Sequence, residues 1–135
     1  MKGIADTGFL VAFGKRGDRY HEWAVGLAAR LTEPLLTCDG VLMEAAFHLR
    51  DSSAVLAMVT DGLVYPSISI TAELGNLARL AKRYEDRRPD LADLCLIRLS
   101  ELNPNHSVIT VDVADFRVYR RNSREVIPLI HPPGL

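Results

Sequence analysis

Two cysteines among 135 residues, Cys38 and Cys95, are too few for a disulfide-built scaffold, and neither stands in a metal-ligand spacing. No apolar run approaches the ~20 residues needed to span a bilayer, because Asp, Arg or Pro breaks each candidate. The opening segment Met1-Lys2-Gly3-Ile4-Ala5-Asp6 carries an acid where a signal peptide would need its apolar stretch. A cytoplasmic protein with no membrane association is therefore expected. There is no internal repeat, linker or low-complexity segment, and a net charge of −1 gives no global attraction to nucleic acid or membrane. Lysine is scarce as well: only 3 of the 16 basic residues are Lys, and the rest are Arg. Arginine binds phosphate bidentately and stacks on bases, which suits RNA, although a compositional bias explains the excess equally well.

What is present is an ordinary globular composition, 48% hydrophobic and 24% charged. Residues 1–135 are expected to form one domain, long enough to hide roughly two-thirds of the surface of the unfolded chain. Lys2 to Ala5 reads as a short strand ending at Asp6, followed by a helix over Thr7 to Phe13 and a turn through Gly14 to Arg19. Helical spacing recurs from His21 to Leu31, Leu35 to Thr37 is a brief strand, and Asp39 is placed to cap a helix running to Leu49. Ser52 or Ser53 opens another helix ending at Gly62. Leu63 to Tyr65 and Ile68 to Ile70 suggest an edge strand interrupted by Pro66. Helices follow from Thr71 to Tyr84 and from Asp90 to Leu102, the second apolar around most of its surface and so expected to be buried. Strands are expected at Ser107 to Val111 and at Val126 to Ile130. Short apolar strands alternating with helices predict an α/β three-layer sandwich, a short central parallel sheet flanked by helices.

In such sheets ligands bind beyond the carboxyl ends of the strands, near the switch in strand order. Asp6 and Asp112 each follow an expected strand. Asp90 and Asp93, three apart on a helix, share a face, and Asp93 lies in the otherwise apolar run Leu91 to Ile97. A carboxylate removed from water there costs several kcal/mol unless a cation or hydrogen bonds compensate. Glu44 repeats the pattern between Val41 and Phe47. Each acid also has a plain reading: Asp6 and Asp112 as loop formers, Asp90 as a helix cap, Asp93 as the partner of Arg98 or Arg121, and Glu44 as a solvated acid. Together they point to oxygen-only ligation of Mg²⁺, with Mn²⁺ as a substitute, and to phosphodiester hydrolysis.

Four pieces in order carry a resemblance: Ala5-Asp6-Thr7-Gly8-Phe9-Leu10, Val41-Leu42-Met43-Glu44-Ala45, Asp90-Leu91-Ala92-Asp93, and Ile109-Thr110-Val111-Asp112-Val113-Ala114-Asp115-Phe116. The chain resembles PIN-domain proteins, and more narrowly VapC-type toxins of toxin–antitoxin pairs, over nearly its whole length. The resemblance implies a Mg²⁺-dependent endoribonuclease, commonly a homodimer, inhibited by a cognate antitoxin. Carried over, Asp6, Glu44, Asp93 and Asp112 form the acidic catalytic set. Asp6, Asp93 and Asp112 would hold the metal with Asp90 as a supplement, and Thr7, Thr110 and Asp115 would support them. Cys95-Leu96 departs from the small residues that often follow the third acid.

After the fourth acid, Asp115 to Arg121 mixes aromatic and basic residues; Arg117 and Arg120 are candidate RNA contacts, while Phe116 and Tyr119 suit packing on the sheet. Phe13, Trp23 and Leu27, on the early helices, are candidate dimer or partner contacts. The competing class is a non-catalytic PIN-like module that binds RNA or protein. A haloacid-dehalogenase-type phosphatase would need a second Asp at position 8, which is Gly.

Overall fold

The first strand can be as short as Gly-Ile-Ala because both its faces are covered and all three residues are fully buried. The computed structural model describes all of residues 1–135. In chain order the elements are β1 (Gly3–Ala5), α1 (Thr7–Gly14), α2 (His21–Ala29), β2 (Leu35–Thr37), α3 (Asp39–Leu49), α4 (Ser52–Thr60), β3 (Val64–Pro66) and α5 (Leu74–Arg83). After a single 3-10 turn come α6 (Leu91–Leu102), β4 (Ser107–Ile109), α7 (Val113–Val118), β5 (Arg120–Arg121), β6 (Glu125–Val126) and β7 (Leu129–Ile130).

Five strands form one parallel sheet in the order β3-β2-β1-β4-β7, flanked by helices, as the alternating pattern predicts. The order reverses at β1: the chain builds outward through β2 and β3, then returns to place β4 on the other side. The register sets Ala5 beside Ile109, so β1 and β4 end level with one another. Helix α6 packs on β1, β2 and β4 and touches α3 and α5. It buries Ala92, Leu94, Cys95, Leu96, Ile97, Leu99 and Ser100, so most of its circumference is core.

Several boundaries differ from the sequence expectations for identifiable reasons. Strand β3 ends at Pro66, which an edge strand tolerates; the Ser67 N–H still donates to Thr37 O at 3.1 Å, and Ile68 then leaves the sheet to plug the core. Strand β4 ends at Ile109, two residues early; the Thr110 N–H still donates to Ile130 O at 3.0 Å before the chain turns. The expected strand over Val126 to Ile130 divides at Pro128 into β6, paired antiparallel with β5, and β7, paired with β4. Cys38, not Asp39, is the cap residue of α3; Asp39 lies inside the first turn, where its charge suits the helix dipole.

Leu27 is fully buried and Trp23 packs edge-on against Phe9 at 6.0 Å, so these residues are core rather than a docking face. Phe47 and Met43 on α3 and Leu56 on α4 are instead the most exposed of the large apolar side chains. The two cysteines, distant in sequence, meet beneath α6 as free buried thiols. A hydrogen bond to Cys95 and burial push the Cys38 thiol up.

Truncating the fully buried Leu96 to Ala is expected to cost about 2–5 kcal/mol in urea unfolding. Met43→Ala, at a position that is 72% exposed, is expected to change stability by less than about 0.5 kcal/mol.

Candidate active site

The reversal of strand order leaves a crevice beyond the carboxyl ends of β1 and β4, and the sequence places acids at both ends. Asp6 follows β1 directly and caps α1: its Oδ1 accepts the Thr7 N–H at 2.5 Å. Its Oδ2 accepts the Thr110 hydroxyl, also at 2.5 Å. The same Thr110 Oγ1 accepts the Asp112 N–H at 2.8 Å, so one hydroxyl ties the acid after β1 to the loop carrying the acid after β4. Gly8 permits this approach, since a β-carbon there would overlap the Val111 side chain.

Two helices supply the remaining acids. Glu44 on α3 accepts the Thr7 hydroxyl at 3.1 Å, so Thr7 supports Asp6 with its backbone and Glu44 with its side chain. Asp90 caps α6, its Oδ1 accepting the Asp93 N–H at 2.8 Å. This is the plain reading of Asp90, yet the residue also borders the crevice. Asp93 has neither of the partners that a structural reading requires. Arg98 is committed to Glu73 and Glu101, Arg121 is committed to Glu125, and no side chain donates a hydrogen bond to the Asp93 carboxylate.

All the predicted acids converge. A cavity of about 570 Å³ is lined by Asp6, Thr7, Gly8, Glu44, Asp90, Asp93, Asp112 and Asp115, with Thr110 buried just beneath. The crowding registers in the proton affinities. Burial pushes Asp93 up to about 7, with Asp90, Asp6, Asp115 and Glu44 adding repulsion. Burial likewise pushes Asp6 up to about 6 against the lowering effect of its two hydrogen bonds. Asp112 is raised by burial and by Asp115.

The donor chemistry is that of a hard divalent cation: carboxylate oxygens only, with mutual repulsion that a cation would relieve. As the side chains stand, no three of them surround a common point closely enough to hold an ion. The Asp93 carboxylate is held by no hydrogen bond, whereas that of Asp112 is in hydrogen-bond contact with Asp115.

The same cavity includes residues that the sequence did not single out: Lys15, Asp18, Arg19, Tyr20 and His48. Lys15 to Tyr20 form a loop without periodicity; the available signal was the four-residue spacing of Thr7, Val11 and Lys15, and of Glu44 and His48. Arg117 and Arg120 do not line the cavity. The Arg120 guanidinium donates to the carbonyls of Arg117 at 2.6 Å and Tyr119 at 3.1 Å, closing the end of α7. Arg117 is exposed, whereas Phe116 and Tyr119 are buried against the core.

No protein-family model and no curated protein sequence matches the chain. Among solved structures, it superposes on VapC20 of Mycobacterium tuberculosis, described as a Sarcin-Ricin loop cleaving toxin. The TM-score is 0.64 at 22% identity, over 83% of this chain and 92% of that one. This likeness establishes the fold, the PIN architecture that the four motifs imply.

Because the Asp6 and Asp93 carboxyls bind protons more tightly in the folded chain than in the unfolded one, the folded state takes up more protons between about pH 4 and about pH 7. Stability therefore falls as pH rises through that window. Thermal melting in the presence of a chelator is expected to show this decline, and Asp93→Asn is expected to flatten it and to melt higher than the parent above about pH 7.

Proposed function

We propose that this protein is a Mg²⁺-dependent endoribonuclease and the toxin of a toxin–antitoxin pair. The observation carrying the reading is Asp93: an acid in an apolar helix, opposite three others, with no cation or hydrogen-bond donor to explain it. The fold shared with VapC20, described as cleaving the Sarcin-Ricin loop, supports RNA as the substrate.

Asp6, Asp93 and Asp112 would hold the ion with Asp90 as a supplement, and Glu44 would orient water or a second ion. When bound, Mg²⁺ supplies charge neutralisation at the phosphate oxygens and a lowered pKa for the attacking water. The chain's own part is positioning and proton handling. Thr7 and Thr110 fix the Glu44 and Asp6 carboxylates, so these two acids would meet the ion and its water already oriented. Glu44, held by the Thr7 hydroxyl, is the acid left to orient the attacking water and accept its proton. The water oxygen bonds to phosphorus as the bond to one flanking sugar oxygen breaks, and that oxygen leaves with a proton from solvent.

The resemblance that suggests a toxin also implies a cognate antitoxin and a homodimer. The exposed Met43, Phe47 and Leu56 support a protein partner on the α3–α4 face. The exposed Arg117 remains a candidate RNA contact; Arg120 is occupied by the carbonyls that it caps. No helix is long and apolar enough to cross a membrane.

Incubating the protein with total RNA and Mg²⁺ is expected to give discrete cleavage products that a chelator abolishes. Asp93→Asn is expected to lower the rate by roughly 10²–10³ while circular dichroism stays unchanged. Full activity in that variant removes the assignment; metal binding without cleavage of any RNA selects the non-catalytic module instead.

A further inference from the structure

The cavity does not end at the acids. Helix α1 presents Thr7 and Val11 along one stripe, with Lys15 as the residue just past its end, and α3 presents Glu44 and His48 along another, so the crevice continues as a groove between them. At 1.5 Å per residue, Lys15 lies about 12 Å along from Thr7. The groove closes at the loop Lys15 to Tyr20, and the charge changes sign along the way.

That far end is a built structure. The Asp18 N–H donates to Lys15 O at 3.0 Å and the His21 N–H to Asp18 O at 3.1 Å. The Asp18 carboxylate accepts the Tyr20 N–H at 2.9 Å, and the His21 Nδ1 lies 2.8 Å from Ala12 O, fastening the start of α2 to α1. On this frame the Arg19 guanidinium lies over the Tyr20 ring, 5.4 Å from its centroid. Neither Lys15 nor Arg19 has a carboxylate at ion-pair distance; the protein's ion pairs all involve Lys2, Arg98 and Arg121. Two unpaired cations and a half-buried aromatic ring therefore share one groove with the acids.

We propose that Lys15, Arg19 and Tyr20 form the subsite for the nucleotides flanking the scissile phosphate, the cations binding the RNA backbone and Tyr20 stacking a base. The inference rests on the ribonuclease reading and specifies which side of the acidic site a single strand occupies. Unpaired strands suit this geometry because their bases are free to stack on an aromatic ring, and the backbone supplies a phosphate to each cation. A length of about 12 Å accommodates three or four nucleotides at the roughly 3.4 Å per nucleotide of a stacked strand.

The test measures fluorescence anisotropy of a labelled single-stranded RNA of randomised sequence, together with cleavage kinetics. The proteins are the wild type, Lys15→Ala/Arg19→Ala, Tyr20→Ala, Tyr20→Phe, and Arg30→Ala as a control outside the groove. The double variant is expected to bind about ten-fold more weakly, and its salt dependence is expected to be shallower by about 1.4 in log–log slope, as two lost phosphate contacts require. Its KM should rise while kcat is retained. Tyr20→Ala should weaken binding by roughly ten-fold, and Tyr20→Phe, which keeps the ring, should bind like the wild type. Cleavage and binding by the wild type with an unchanged Kd and slope in the double variant overturn this subsite and leave the ribonuclease reading standing. A wild type that neither binds nor cleaves RNA overturns both.

Discussion

Like charges held together against their repulsion are the constraint on which the rest of this molecule turns. Asp6, Glu44, Asp93 and Asp112 arrive from four different elements, and each arrival is enforced by packing that has nothing to do with the acids themselves. The parallel pairing of β1 with β4 makes their ends level. The buried face of α6 fixes the height of Asp93, and the Gly8–Val111 approach closes the gap. The hydrophobic core supplies the stabilisation that keeps the carboxylates crowded; burial first, and repulsion after it, raises the proton affinity of Asp6 and Asp93.

The hydrogen bonds divide the acids into two kinds. Asp6 and Glu44 are restrained by threonine groups, whereas Asp93 has a carboxylate that no side chain fixes. Such a division suits a site in which part of the ligand set is preorganised and part closes when charge arrives.

Much of this was legible in the residues. Strand-then-acid at Asp6, and an acid inside an apolar helix at Glu44 and Asp93, are departures from local pattern visible in the sequence, and the structure sets all of them around one cavity. The sheet was legible because apolar triplets alternated with helical stripes. What stayed hidden was decided by tertiary contacts. Leu27 reads the same on paper whether its stripe faces solvent or core. Arg120 looks like a free cation until the end of α7 is seen to take its hydrogen bonds. The loop from Lys15 to Tyr20 has no period at all; its place in the cavity follows from how α1 and α3 pack, which no local spacing encodes.

Thr110 links these observations, because a single hydroxyl donates to Asp6 and accepts from the Asp112 backbone. In evolutionary terms this makes position 110 a shared dependency. Serine preserves both bonds, whereas valine, nearly identical in shape, removes both at once. Of the residues of this size, only the two with a hydroxyl keep Asp6 and the Asp112 loop tied through one atom. A chain that had lost its chemistry would be free to replace that threonine with any β-branched residue long before its fold changed.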